Sequence, residues 1–156
     1  MHIAGSCDPD PGCGGWACVV LNPGRGTRVE RSGAEWETTR NRMALRALFE
    51  GVAALSGEQM VDLVCDSDHV LTGLKNKVWK AREPVEDLEH WQRLVWNGDG
   101  PSPVENFDLW RRLEELRAGR VGIMPAFQRI ANRSKPDRER CRQLAVAARG
   151  ALAGSA

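Results

Sequence analysis

The alternation of apolar and polar residues near the start of the chain predicts a β-hairpin. An apolar run over residues 17–21 ends at Asn22, Pro23 and Gly24, which are common turn formers. Residues 27–32 would then return as the second strand of the hairpin.

Helical spacing of apolar residues begins just after Thr38 and Thr39. This spacing predicts an amphipathic helix over residues 41–55, and a threonine hydroxyl directly before it would cap the first turn. Serine and glycine at residues 56–57 would close the helix. The apolar face consists of Met43, Ala47, Leu48, Val52 and Leu55.

The rest of the chain predicts two more strands among several helices. Residues 61–65 are typical of a mostly buried strand, and they lead into Asp66 and Ser67, which are suitable caps for a helix over residues 68–77. The order of the elements predicts a mixed α/β domain in which helices cover a sheet. The remaining predicted elements are helices over residues 79–96, 107–117 and 137–148, a loop over residues 97–103 and a strand over residues 121–127.

Length and composition indicate one globular domain. The chain has 156 residues, of which 42% are hydrophobic and 28% are charged. We expect a single domain over residues 1–150 and a flexible C-terminal tail over residues 151–156. No basic segment leads into an apolar run near Met1, and no apolar run approaches the roughly 18 residues of a membrane span. We therefore expect a cytoplasmic protein with no membrane partner.

Charge is divided unevenly along the chain. Residues 1–110 carry 11 Lys and Arg against 17 Asp and Glu, whereas residues 111–156 carry 11 against 4. A basic C-terminal third is typical of a protein with an anionic partner, but two parts of one fold could also neutralise each other. Charge alone leaves both interpretations open.

Five groups of short motifs follow one another along nearly the whole chain. They are Gly5-Ser6-Cys7 with Pro11-Gly12 and Gly14-Gly15-Trp16, Thr38-Thr39-Arg40-Asn41-Arg42-Met43, Asp66-Ser67, Asp108-Leu109-Trp110, and Glu139-Arg140-Cys141 with Leu144-Ala145. In this order and at these separations they resemble type 1 ribonuclease H. The resemblance implies an α/β, RNase H-like fold: a five-stranded mixed sheet flanked by helices, with an antiparallel meander as its first three strands.

The resemblance also implies cleavage of the RNA strand of an RNA/DNA hybrid, with two Mg²⁺ ions held by four carboxylates. The matching positions in this sequence are Ala4, Ala44, Asp66 and Arg142. Only Asp66 is a carboxylate, and the Arg142 guanidinium is able to pair with it. Asn132 stands where the family has a histidine that assists product release. We therefore expect no intact catalytic set, and only a vestigial metal position at Asp66.

From these residues we expect a protein that binds an RNA/DNA hybrid, or another duplex, without cleaving it and without a cofactor. Mg²⁺ would matter only if some nuclease activity remained. Two alternatives stay open: a protein-interaction scaffold that keeps only the fold, and a weak metal-dependent ribonuclease H with rearranged ligands such as Asp8, Asp10 or Glu139. Ala4 and Ala44 could be natural or engineered, and the N-terminus could be incomplete.

Two groups of residues are expected to contact nucleic acid. Thr39 and Asn41 match positions where the family contacts the backbone of its substrate, with the Arg40 cation between them. Thr39 could equally serve only as a helix cap. The basic C-terminal third would contribute Arg129, Arg133 and Arg138.

Overall fold

The computed structural model describes residues 1–55, 60–75, 105–119, 126–129 and 135–155. The helix predicted over residues 79–96 and the loop predicted over residues 97–103 lie outside this part of the chain. Five strands and four helices are described. They are β1 (His2–Cys7), β2 (Gly12–Asn22), β3 (Thr27–Thr38), α1 (Arg40–Ala53), β4 (Met60–Leu63), α2 (Asp68–Lys75), α3 (Phe107–Gly119), β5 (Ala126–Arg129) and α4 (Lys135–Ala153).

The strands form an antiparallel meander joined to a parallel pair. β1 pairs with β2 and β2 with β3, both antiparallel, while β4 and β5 run parallel. A parallel bridge between His2 and Val64 connects β1 to the end of β4, where the Ile3 amide donates to the Val64 carbonyl at 3.1 Å. The strand order is therefore β3-β2-β1-β4-β5, and the expected five-stranded mixed sheet is confirmed.

Helices cover both faces of the meander because β2 is apolar on both sides. Cys18 and Val20 face the main core, to which α1 contributes its buried side chains. Ala17 and Val19 face α4 in a smaller core with Cys141 and Ala145. Period-two alternation along β2 thus supplies two layers of packing from one strand.

Helix α1 begins as its sequence predicts. Thr39 is the N-cap, and its side-chain oxygen accepts a hydrogen bond from the Arg42 amide at 3.2 Å. The apolar stripe is buried, with Met43 and Leu48 fully inaccessible to solvent. The predicted closure at residues 56–57 lies outside the described residues.

Two motifs of the resemblance meet where α1 contacts α3. The Arg42 guanidinium donates two parallel hydrogen bonds, each 2.7 Å long, to the Asp108 carboxylate. Leu109 and Trp110, which follow Asp108, are buried in the main core. Bidentate arginine pairs fix geometry as well as charge, so these motif residues hold α3 against α1.

The last strand and the last helix both continue past their predicted ends. The described part of the last strand is β5, at Ala126–Arg129, against a prediction of residues 121–127. Helix α4 starts two residues earlier than predicted and continues through Ala153, three residues into the segment expected to be a tail. Its C-terminal half is rich in alanine, the best helix former, which accounts for the extension.

None of the helices described is both long enough and apolar enough to cross a membrane.

Candidate functional site

A cavity of about 540 Å³ lies where β1, the start of α1, the segment after β4 and the side of α4 meet. All four positions at which the resemblance implies a metal ligand line this cavity. The lining residues that bear on its chemistry are Ala4, Arg40, Asn41, Ala44, Asp66, Ser67, Asp68, His69 and Arg142.

Close contact between β1 and α1 brings Ala4 and Ala44 to the same wall. A Cβ atom on Gly5 would lie 2.5 Å from the Ala44 nitrogen and 2.6 Å from the Arg40 carbonyl oxygen. Only glycine therefore fits at this crossing, which accounts for the glycine of the first motif. The neighbouring side chains of Ala4 and Ala44 offer methyl groups alone, so neither contributes a hydrogen-bonding or ligating atom.

Asp66 is bound by two arginines of α4. Nη2 of Arg138 donates to Oδ1 of Asp66 at 2.8 Å, and Nη2 of Arg142 donates to Oδ2 at 2.6 Å. Burial of the carboxyl group disfavours its charge, but the two guanidinium hydrogen bonds outweigh burial and hold the pKa of Asp66 below its usual range. Asp66 is thus an ionised carboxylate with a cation on each oxygen.

His69 borders the same cavity and is a feature that sequence reasoning missed. Its Nε2 lies 3.5 Å from Nδ2 of Asn106, and its Nδ1 lies 3.8 Å from Oε2 of Glu105. Burial lowers the pKa of His69, and the nearby Glu105 carboxylate opposes this only in part. The sequence signal that could have identified His69 is its position in the first turn of the helix that begins two residues after Asp66.

The residues predicted to contact nucleic acid differ in where they lie relative to the cavity. Arg40 is exposed at the cavity, and Asn41 lines it. Thr39 uses its hydroxyl oxygen to cap α1. Among the predicted basic residues, Arg138 contacts Asp66. Arg133 and the side chain of Arg129 lie outside what the structure describes.

The acids proposed as substitute ligands point to other partners. Asp8 pairs with Arg149 at 3.6 Å, and Oδ1 of Asp10 accepts from the Arg40 amide at 3.3 Å. Glu139 accepts from the side chain of Gln143, one turn further along α4. The acids that do line the cavity are Asp66 and Asp68.

The side chains at this site do not fit a pair of Mg²⁺ ions. Magnesium requires near-octahedral oxygen ligation, and both oxygens of Asp66 already accept from guanidinium groups. In the part of the chain that the structure describes, no three His, Cys, Asp or Glu side chains are placed to hold a metal ion together. The four positions carry two methyl groups, one carboxylate and one guanidinium, so their formal charge is zero.

Comparisons with known proteins define the class of this fold and cavity. The RNase H family profile matches residues 1–127. A ribonuclease H from Thermoanaerobacter sp. (strain X514) is 43% identical over 116 residues, which are 74% of this chain and 68% of that protein. A ribonuclease H from Granulibacter bethesdensis is 40% identical over 145 residues, which are 93% of this chain and 87% of that protein.

The fold matches solved structures over nearly the whole chain. A crystal structure of LC11-RNase H1 in complex with an RNA/DNA hybrid superposes with a TM-score of 0.66 at 16% identity, covering 97% of this chain and 96% of that one. The family profile and the identities together show that this chain belongs to the RNase H family. The resemblance drawn from the five motif groups is thereby confirmed.

Two expectations are overturned by these relatives. The expectation of a protein that binds nucleic acid without cleaving it is wrong, because relatives at 43% and 40% identity are ribonucleases H. The expectation of no cofactor is wrong for the same reason, because the family is one of Mg²⁺-dependent enzymes. Both expectations treated the changed side chains at three of the four metal-ligand positions as loss of function. They gave those positions more weight than the similarity along the rest of the chain.

Proposed function

We propose that this protein is a ribonuclease H that cleaves the RNA strand of an RNA/DNA hybrid. The observation that carries the proposal is the 40% identity to a ribonuclease H across 93% of this chain and 87% of that relative. Identity at this level over whole domains extends beyond a shared fold, and the LC11-RNase H1 complex supports a hybrid as the substrate class.

The cavity around Asp66 is the proposed site of activity. It lies at the junction of β1, α1 and α4, and it presents Arg40 and Asn41 at the start of α1 beside Asp66. Arginine and asparagine side chains are common donors to the sugar-phosphate backbone. The hybrid would therefore lie across the start of α1 with one strand at the mouth of the cavity.

The rate of cleavage is expected to be low. Ala4 and Ala44 offer no ligating oxygen, and the Asp66 carboxylate is engaged by Arg138 and Arg142. A low rate agrees with the alternative of a weak metal-dependent ribonuclease H. The substitute ligands first considered for that alternative were Asp8, Asp10 and Glu139, and these acids have other partners.

A labelled-substrate assay tests the proposal. The unmodified protein is incubated with a hybrid carrying labels on both strands, and with duplex DNA and duplex RNA of the same sequence, in Mg²⁺, in Mn²⁺ and with a chelator. We expect slow cleavage confined to the RNA strand of the hybrid and abolished by the chelator. An Asp66→Asn variant should lose this activity, whereas Glu115→Gln, an exposed change on α3, should keep it. No RNA cleavage in either metal, or cleavage that survives in Asp66→Asn, contradicts the proposal.

Two predictions about the whole chain belong with this proposal. Residues 1–150 are proposed to act as one domain, in agreement with the contact of α4 with β2. A cytoplasmic location remains a prediction from the sequence.

A further inference from the structure

We propose that the cavity binds a phosphate group of the hybrid backbone at Arg142, with the charge of Arg138 close by, where the family pattern would place metal ions. This deepens the proposed function and rests on it, because it names the chemical group that the same site holds. The side chains present at the cavity do not match those of a metal centre.

The two guanidinium groups are held as a pair by one carboxylate. Arg138 and Arg142 are four residues apart, so they lie on one face of α4. Each contributes its Nη2 to a different oxygen of Asp66. Asp66 acts here as a positioning residue, because it fixes Arg142 in the lining of the cavity and Arg138 beside it, and offsets only one of their two charges.

Arg142 is accessible to a ligand. Its side chain is 51% exposed and lines the cavity. A guanidinium carries five N–H donors in a planar fork, and the bond to Asp66 uses Nη2. The fork geometry matches two oxygens of a phosphate, which is the pairing that arginine makes better than lysine.

The charge of the site favours an anion over a divalent cation. Four carboxylates would give the four family positions a charge of −4, whereas the residues here give them a charge of zero. Arg138, which is bound to Asp66, adds one positive charge next to the cavity. The charges of the other two charged lining residues, Arg40 and Asp68, cancel. The two guanidinium groups weaken the affinity of the cavity for a divalent ion, in agreement with a low rate of cleavage, and they attract a phosphodiester.

Binding measured in the presence of a chelator tests this inference separately from cleavage. Fluorescence anisotropy of a short labelled RNA/DNA hybrid is followed over a salt titration with the unmodified protein, Arg142→Gln and Arg142→Lys. We expect hybrid binding without any metal, and we expect Arg142→Gln to weaken it and to reduce the slope of log affinity against log salt by about 1. Arg142→Lys should keep the slope but lose part of the affinity, because it keeps the charge and loses the fork.

Arg140→Gln is the matched control. Arg140 lies on the same helix with nearly the same exposure, 50%, and it also pairs with a carboxylate, but that carboxylate is Glu30 of β3. If Arg140→Gln weakens binding as much as Arg142→Gln, the effect is diffuse electrostatics and the inference is wrong. It is equally wrong if Arg142→Gln has no effect or if binding requires Mg²⁺. Cleavage by the unmodified protein could still be observed in these cases, so the two proposals fail separately.

Discussion

Asp66 shows how neighbouring side chains decide the chemistry of a carboxylate. A carboxylate at this position suits a divalent cation, but hydrogen bonds from Arg138 and Arg142 keep it ionised and occupy both of its oxygens. The sequence placed Asp66 and Arg142 together through their motifs. It did not predict that Arg138 would share the same carboxylate, because that contact depends on the rotation of α4.

His69 is expected to make stability depend on pH. Burial lowers its pKa below the ordinary value of 6.5, so the unfolded chain binds a proton more readily than the folded one. The stabilising effect is complete above about pH 6.5 and is lost as the pH falls through the lowered pKa of the folded protein. His2, whose pKa is lowered mainly by burial, acts in the same direction.

Urea unfolding between about pH 7 and pH 5 measures this effect. The free energy of unfolding of the unmodified protein should fall with pH, and that of His69→Gln should fall less steeply. Equal slopes for the two proteins would show that His69 has the same pKa in the folded and unfolded chain.

The contact between β1 and α1 determines the shape of the site. Gly5 permits the two backbones to approach, and the same contact places Ala4 and Ala44 on one wall. Thr39 fixes where α1 starts, which sets the positions of Arg40 and Asn41 at the cavity. The site is therefore built from element packing, even though few of its side chains are those of the family pattern.

A Gly5→Ala variant tests this packing. The added Cβ would meet backbone atoms of α1 at 2.5–2.6 Å, and since backbone cannot move aside cheaply, we expect a loss of about 2 kcal/mol in the free energy of unfolding. Gly150→Ala in α4 is the control, because a Cβ there meets nothing within 4 Å. It should stabilise the protein by about 0.5 kcal/mol through helix propensity. Unchanged stability of Gly5→Ala, measured by urea unfolding, would contradict the close β1–α1 contact.

Local signals predicted some elements better than others. The β2–β3 hairpin and α1 followed from turn residues, apolar spacing and a threonine cap, all of which act within a few residues. The last strand continues two residues past its predicted end, because β5 is defined by parallel pairing with β4, a partner more than sixty residues away. The extent of α4 was underestimated because its alanine-rich C-terminal end favours a helix without continuing the apolar spacing from which the helix was predicted.

The uneven charge of the chain is largely balanced within the fold. Cations of α4 pair with acids of the N-terminal two thirds, so the second of the two interpretations of the charge pattern accounts for much of the basic C-terminal third. The pairs are Arg138 and Arg142 with Asp66, Arg140 with Glu30, and Arg149 with Asp8. Each exposed ion pair of this kind stabilises the fold by only about 0–1 kcal/mol. The pairs therefore contribute more to the orientation of α4 than to its stability.

The most direct test of the account compares the rate of hybrid cleavage by the unmodified protein with that of the triple variant Ala4→Asp, Ala44→Glu and Arg142→Asp. The proposed activity lies in this cavity, and missing carboxylates limit its rate. We therefore expect slow RNA-strand cleavage by the unmodified protein and an increase of at least about tenfold in the variant, which corresponds to about 1.4 kcal/mol of barrier. Cleavage that is absent from both proteins, or unchanged between them, would contradict the account.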